Sequence, residues 1–182
     1  RLRAVPGVKK AFVASGMRYD LVLADKKSGR AYLREVVRHH VSGQLKVAPE
    51  HSEERVLRLM GKPGRNELLR FKQLFDELAA EDGRKQYLTY YLIAGYPGCD
   101  DAAMRRLKEF CGGALHISPE EVQIFVPLPS TFSALMYHTG LDPWTREPLF
   151  IERDPARREA QKAIVVTKPA GTGGLVSTAT VT

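Results

Sequence analysis

The sequence has 182 residues, of which 43% are hydrophobic and 27% charged, a composition typical of one folded domain with a real core. No apolar run approaches the roughly 20 residues that a membrane-spanning helix needs, and no signal peptide is visible, so we expect a cytoplasmic protein. The net charge is +7, but the cations are scattered in ones and twos among acids, which favours solvated helix faces over a nucleic-acid surface.

Short apolar runs alternate with longer amphipathic ones along the chain. The spacing predicts strands at 11–15, 44–48, 87–94 and 122–127, and helices at 28–41, 53–60, 101–111 and 155–165. A further helix carries the apolar stripe Leu68, Phe71, Phe75 and Leu78. We expect Ser52 to cap the second helix and the third strand to be covered on both faces. The segment from 127 to 150 has no clear periodicity, and the Gly/Thr-rich tail from 168 is expected to be loose or extended.

This order of elements predicts an α/β fold with a parallel sheet, because parallel strands need helical crossovers between them. Periodicity alone leaves an open sheet and part of a (β/α) barrel as alternatives. We divide the chain into residues 1–150, which hold the strands, and residues 151–182, which hold the last helix and the tail. The chain begins without Met at the approach to a strand, which suggests a piece of a longer protein.

The two cysteines, Cys99 and Cys111, lie at opposite ends of one predicted helix, about 18 Å apart at ~1.5 Å per residue. A disulfide needs Cα atoms within about 7 Å, so we expect both thiols to be reduced. Two cysteines at this spacing cannot by themselves hold a zinc ion or an iron–sulfur cluster.

Polar and turn residues follow every predicted strand: Ser15, Arg18 and Asp20; Glu50 and His51; Gly95 to Gly98; Pro127 to Thr131. Loops at the carboxyl ends of parallel strands carry the chemistry of α/β proteins. Glycine and proline belong in turns anyway, so for them a structural and a functional role are equally supported. Turns do not require Arg18, Asp20, Glu50 or His51, which favours a functional role for these side chains.

Lys46 interrupts an apolar strand and leaves two interpretations open. Inside a barrel it would need a partner such as Glu50 or a bound carboxylate, whereas at an edge or on an outward face it would need none. His39 and His40 suit a helix C-terminus, and His116 and His138 lack the spacing of zinc ligands. The sequence contains no G-x-G-x-x-G, P-loop or G-x-S-x-G motif, which disfavours dehydrogenases, nucleotide hydrolases and serine hydrolases.

Four blocks in order resemble the later part of a radical S-adenosylmethionine (radical SAM) enzyme of the YgiQ-type family, with a more distant similarity to the methylthiotransferases. The blocks are "VASGMRYDL", "LKVAPEHSEERVLRLMGKPG", "YLTYYLIAGYPGCDDAAM" and "VQIFVPLPSTFSALMYHTGLDP". They cover most of residues 11 to 143, and the spacing of all four makes the resemblance more specific than any one of them.

The resemblance implies the later half of a partial (β/α) barrel with S-adenosylmethionine laid across the strand ends. Gly95 and Tyr96 would pass close to its adenine and methionine parts. Glu50, with Lys46, would lie near the ribose or the methionine group, while Ser15 and Arg18 would line the same cavity. Pro127 to Thr131 would contact the adenine through the backbone. The expected partners are the N-terminal half of the same protein and an unidentified substrate, with RNA among the candidates because some related enzymes modify RNA.

The C-x-x-x-C-x-x-C motif that holds the [4Fe–4S] cluster in radical SAM enzymes is absent from this sequence. We expect the cluster ligands upstream of Arg1, because four parallel strands cannot close a barrel. Cys99 stands where related enzymes often have a carboxylate after "PG". The alternative function is a non-catalytic module that binds RNA or another anion through Arg55, Arg58, Lys62 and Arg65.

Overall fold

A computed structural model of the protein describes residues 4–166. The helices are α1 (Tyr19–Ala24), α2 (Gly29–His40), α3 (Glu54–Met60), α4 (Arg65–Glu81), α5 (Asp101–Phe110), α6 (Phe132–Thr139) and α7 (Pro155–Val165). The strands are β1 (Gln44–Glu50), β2 (Tyr87–Ala94) and β3 (Gln123–Ile124). A π-helical turn, Cys111–Leu115, extends α5.

The three strands form one parallel sheet in the order β1-β2-β3. Leu45 of β1 lies opposite Leu88 of β2, and Ile93 of β2 lies opposite Gln123 of β3. Helices α3 and α4 connect β1 to β2, and α5 with its π-helical turn connects β2 to β3. The predicted α/β class is confirmed, and the open parallel sheet is consistent with half of a partial (β/α) barrel.

The first predicted strand, residues 11–15, does not form. The segment has no regular secondary structure, although the Val13 N–H donates to the His40 carbonyl at 2.9 Å. Further along, the Met17 N–H donates to the Lys46 carbonyl at 2.9 Å, and Met17 makes a single parallel bridge to Val47. One bridge is too little for a strand, so this segment lies along β1 without a regular ladder. The fourth predicted strand, residues 122–127, shortens to the two residues of β3.

The core lies between the helices and one face of the sheet. The predicted stripe of α4 is confirmed, since Leu68, Phe71, Phe75 and Leu78 are all at most 1% exposed. The other face of the sheet is open among residues 4–166: Tyr87 and Tyr91 of β2 are 61% and 39% exposed. The prediction that β2 is covered on both faces is therefore wrong for the described part of the chain, because both of these rings remain in contact with solvent.

Two further predictions about helix ends need correction, and one helix was missed. The N-cap of α3 is Glu53 rather than Ser52. Helix α5 does not stop at Gly112 but continues as the π-helical turn to His116, whose backbone is left-handed. Helix α6 was not predicted at all, although the Thr131 side chain caps it by accepting a hydrogen bond from the Ala134 N–H. The predicted helix at 155–165 is confirmed as α7, and the predicted loose tail lies outside the described residues.

Candidate functional site

The end of β1 is distorted in a way that redirects Glu50. Val47 pairs with Tyr90 but Glu50 pairs with Leu92, so three steps on β1 match two on β2. This β-bulge contains Pro49, which has no N–H to offer to a ladder. The backbone of Glu50 is left-handed, with φ 66°, an uncommon conformation for a residue with a side chain. Such strain concentrates at functional sites, and here it sets the direction of a carboxylate.

Lys62 holds the Glu50 carboxylate in place. Its Nζ lies 2.7 Å from Oε1 of Glu50 and donates to the Ala48 carbonyl at 3.1 Å. Both side chains are about one-quarter exposed, so the ion pair remains in contact with solvent. The lysine therefore fixes the position of the carboxylate without removing it from water.

The Glu50 side chain lines a cavity of about 460 Å³ at the carboxyl ends of the three strands. Its walls are mostly apolar, with a few polar groups, and include Met60, Ile93, Tyr96, Phe125, Leu128, Thr131 and Ser133. Ligand sites typically measure about 300–1,000 Å³ and combine an apolar lining with a few polar groups. The volume and lining of this cavity fit that description.

Tyr96 forms one wall of the cavity from the turn after β2. Its hydroxyl donates to the Leu59 carbonyl at 3.3 Å, and its ring packs edge-to-face on Phe125 with centroids 4.9 Å apart. Burial raises the pKa of Tyr96 to about 12. The phenol is therefore neutral at physiological pH and available only as a hydroxyl.

Gly95 lies beside this cavity, but its closest approach is to α7. Its φ of 69° is left-handed, and an added Cβ would lie 3.1 Å from Nε of Arg158. Nε and Nη2 of Arg158 are buried and have no hydrogen-bond partner within residues 4–166. The guanidinium also lies over the Tyr137 ring, 5.9 Å from its centroid. Glycine is favoured at 95 by the left-handed backbone, and a side chain there would also crowd this arginine.

His51, the neighbour of Glu50, points into the protein interior and is only 1% exposed. The backbone N–H groups of Ser52 and Glu53 donate to its Nδ1 at 2.9 and 3.0 Å. Because Nδ1 accepts, the ring proton is on Nε2, which lies 3.3 Å from Sγ of Cys99. Burial, together with the charges of Arg106 and Arg55, lowers the pKa of His51 to about 4.

The imidazole thus accepts hydrogen bonds from the backbone N–H groups just before α3, and it contacts the loop after β2. Cys99 itself is fully buried, and burial raises the pKa of its thiol to about 12. Cys99, which stands where related enzymes often have a carboxylate, does not line the cavity. Both cysteines are free, as predicted.

The cavity brings together some of the predicted site residues. Glu50 and Tyr96 line it directly, and Pro127 lies between the lining residues Val126 and Leu128. Lys46 lies in an adjoining cavity of about 270 Å³ that shares Tyr91 and Gln123 with the first. Lys46 is exposed on the open sheet face, opposite the helices, and Glu50 pairs with Lys62 rather than with it.

Ser15 and Arg18 do not reach the cavity. Ser15 is exposed, and the Arg18 guanidinium pairs with Asp20 at 2.6 Å on the surface. Their predicted place in the site depended on a first strand in register with the others, and that strand is missing. Sequence analysis overlooked Met60 and Ser133. No pattern singled them out, because their contribution depends on how α3 and α6 pack against the strand ends.

The residues of the alternative anion-binding function are largely neutralised by neighbouring acids. Arg55 pairs with Asp100, and Arg58 with Asp142, each at 2.7 Å. Lys62 is occupied by Glu50. These pairs tie α3 to the loops after β2 and α6, so their charges serve packing.

Within residues 4–166, no three His, Cys, Asp or Glu side chains gather as metal ligands. The two buried cysteines do not fit a [4Fe–4S] cluster, so no chemistry of such a cluster can be assigned to this part of the chain. No helix in the same range combines the length and apolar character needed to cross a bilayer.

Fold and site together define an α/β protein with a parallel sheet and a ligand-sized cavity at the carboxyl ends of its strands. The chain is similar to UPF0313 proteins: 50% identical over 168 residues to one from Fusobacterium nucleatum, 43% over 170 to one from Clostridium perfringens, and 41% over 168 to one from Methanosarcina acetivorans. These matches cover 91–92% of the chain but only 22–30% of the relatives. This proportion supports the expectation of a longer parent protein. No family model matches the chain.

Proposed function

We propose that this chain forms the S-adenosylmethionine-binding part of a radical SAM enzyme, within a longer protein that supplies the cluster ligands. The observation that carries the proposal is the cavity at the carboxyl ends of the parallel strands, with Glu50 turned toward it by a bulge. This end of a (β/α) barrel is where active sites lie. The four sequence blocks and the greater length of the UPF0313 relatives also support the proposal.

Glu50 is the residue that we assign to the polar end of the cofactor. A carboxylate accepts hydrogen bonds from ribose hydroxyls and attracts the sulfonium and amino groups of a methionine moiety. The 2.7 Å contact with Lys62 holds that carboxylate in one orientation before the ligand arrives. Preorganisation of this kind reduces the entropy lost on binding.

The apolar wall suits the adenine. Ile93, Phe125 and Leu128 offer aliphatic and aromatic surface, and Tyr96 is held by Phe125 beside them. The hydroxyls of Thr131 and Ser133, 2.9 Å apart, lie at the rim and can bond the polar edge of a base. The block from Pro127 to Thr131 would add backbone contacts.

When bound beside a reduced [4Fe–4S] cluster, S-adenosylmethionine supplies a 5′-deoxyadenosyl radical that acts on the substrate. The residues of this chain bind and orient the cofactor and limit the access of water to it. Tyr96 is a neutral phenol at physiological pH, as its pKa of about 12 requires, and adds no second negative charge beside Glu50.

The test uses the intact protein that carries this chain, reconstituted anaerobically with iron and sulfide and given S-adenosylmethionine and a reductant. We expect 5′-deoxyadenosine to accumulate, measured by liquid chromatography. Its absence from a preparation with a complete cluster would contradict the proposal.

The role of this cavity is tested separately by equilibrium binding of S-adenosylmethionine. We expect Glu50→Gln to weaken binding by about 10–100-fold, because a charge-assisted hydrogen bond contributes ~1.5–3 kcal/mol. Glu120→Gln is the matched control, since Glu120 is exposed and does not line the cavity. Equal affinity of the two variants for S-adenosylmethionine would show that the cofactor does not contact Glu50.

A further inference from the structure

A second cavity lies at the opposite end of the sheet, where β1 and β2 begin. It measures about 440 Å³ and is bordered by Gly43 before β1 and Gln86 before β2. Six basic side chains line it: Lys9, Lys10, Arg38, His39, Arg84 and Lys85. We call this cavity the basic cleft. β1 has seven residues and spans about 23 Å at ~3.3 Å per residue, so the basic cleft is separate from the cavity at Glu50.

The basic cleft holds more positive charge than its acids neutralise. Asp82 pairs with both Arg38, at 3.1 Å, and Arg84, at 2.9 Å, and the Glu35 carboxylate lies 3.7 Å from Nε2 of His39. Lys9, Lys10 and Lys85 are exposed and have no acidic partner within residues 4–166. This differs from α3, where the arginines pair with acids. Like charges held together at one concave site repel one another, and an anionic ligand would relieve that repulsion.

Exposed aromatic rings accompany these lysines. Phe12 lines the basic cleft and is 48% exposed, with the Lys10 ammonium 6.0 Å from its ring centroid. A shallower cavity of about 350 Å³ continues from the basic cleft past Ser42 and Lys85 to Tyr87, which is 61% exposed. An exposed phenylalanine and an exposed tyrosine flank one basic path.

Basic grooves with exposed aromatic rings are how proteins bind single-stranded nucleic acids, because lysines follow the phosphates and rings stack on bases. Two adjoining cavities favour a polymer over a free nucleotide, which would fill only one of them. We propose that the basic cleft and its continuation bind a single-stranded nucleic acid, with Lys9, Lys10 and Lys85 on its phosphates and Phe12 and Tyr87 stacked on its bases. This site is independent of the function proposed for Glu50.

The number of free lysines sets the expected salt dependence. Each phosphate contact on a single strand contributes a slope of about −0.7 to the plot of log affinity against log salt, so three lysines give about −2. Affinity should then fall about 20-fold between 50 and 200 mM salt.

The experiment measures fluorescence anisotropy of labelled 12-nucleotide oligo(U) and oligo(dT), with the intact protein and no S-adenosylmethionine. The test variant is Lys9→Gln/Lys10→Gln/Lys85→Gln. The matched control is Lys26→Gln/Lys27→Gln/Lys108→Gln, which removes the same charge from exposed sites outside the basic cleft. We expect the test variant to bind at least ten times more weakly with a slope near zero, and the control to bind as the unmodified protein does.

The stacking role is tested by Phe12→Leu and Tyr87→Leu, each expected to weaken binding at least fivefold without changing the salt slope. Equal losses in the two lysine variants would show general attraction to a basic protein and overturn the proposal. ATP binding as tightly as the 12-mers would overturn the assignment to a polymer. Comparison of oligo(U) with oligo(dT) then identifies whether the site prefers RNA or DNA.

Discussion

Acidification from pH 7 to pH 5 is expected to destabilise this chain through His51. The imidazole is 1% exposed, and the N–H groups of Ser52 and Glu53 donate to its Nδ1. A proton can be added at Nδ1 only if both hydrogen bonds break and the charge is buried near Arg55 and Arg106. The folded protein therefore resists a protonation that the unfolded chain accepts readily.

The pKa of His51 falls from 6.5 to about 4 on folding. Between these two values the unfolded state binds more protons than the folded state, so stability decreases as the pH falls. At pH 7 the contribution to the free energy of unfolding is near zero, and at pH 5 it is about −2 kcal/mol. The pKa values of Asp20 and Asp100 are lowered, so these carboxylates lose their stabilising charge mainly below this range.

Urea denaturation of the 182-residue chain at pH 7, 6 and 5, followed by circular dichroism, measures this loss. His51→Gln removes the titrating group, and we expect its stability to be lower at pH 7 but nearly constant down to pH 5. His138→Gln is the matched control, because His138 is exposed and its removal should leave the pH dependence unchanged.

A His51→Gln variant that loses stability with falling pH as steeply as the unmodified chain would refute this reasoning. If the variant does not fold, the imidazole of the unmodified chain can be titrated directly by nuclear magnetic resonance. We expect the Nε2–H tautomer and no titration of His51 above pH 5. A midpoint near 6.5 would show that the ring is accessible to solvent.

Two further predictions concern packing, each read out as the free energy of unfolding in urea. Gly98→Ala should cost about 2–4 kcal/mol, because its φ is 82° and the new Cβ would lie 2.6 Å from Leu59 Cδ1. The control is Gly112→Ala, whose new Cβ would meet nothing within 4 Å. We expect this control to change stability by less than about 1 kcal/mol. A Gly98→Ala cost no larger than the control's would contradict the left-handed turn. Phe75→Ala should cost about 3–5 kcal/mol because Phe75 is fully buried, and Phe132→Ala much less because Phe132 is 62% exposed. Equal costs would place Phe75 outside the core.

The candidate site was predictable only in part. Glu50 was found because polar residues at the ends of parallel strands converge, whatever the details of the sheet, and Tyr96 was implied by the family resemblance. Ser15 and Arg18 were assigned by the same rule and do not reach the cavity, because the rule requires a regular strand before them. Residues 11–15 are too weakly paired with β1 to provide one. The rule that polar residues after parallel strands converge therefore holds only where the predicted strand forms.

The basic cleft illustrates a second limit. Lys9 and Lys10 are far from Lys85 in the sequence, so these lysines are interpreted as scattered charge, whereas Arg55 and Arg58, with Lys62 and Arg65, form the set of the alternative anion-binding function. The structure contradicts both interpretations. The lysines gather around the starts of β1 and β2, and the arginines find carboxylates on other elements.

By itself the sequence determined the α/β class, the helices α2, α4, α5 and α7, and the buried stripe of α4, because hydrophobic periodicity is a local property that each segment carries alone. Only the tertiary structure decided that Glu50 turns toward a cavity while His51 turns inward, and that Gly95 faces Arg158. These outcomes depend on the register of two strands and on a helix more than 60 residues away. Local periodicity holds no information about either, since a shift of one residue in register reverses the face on which every side chain lies.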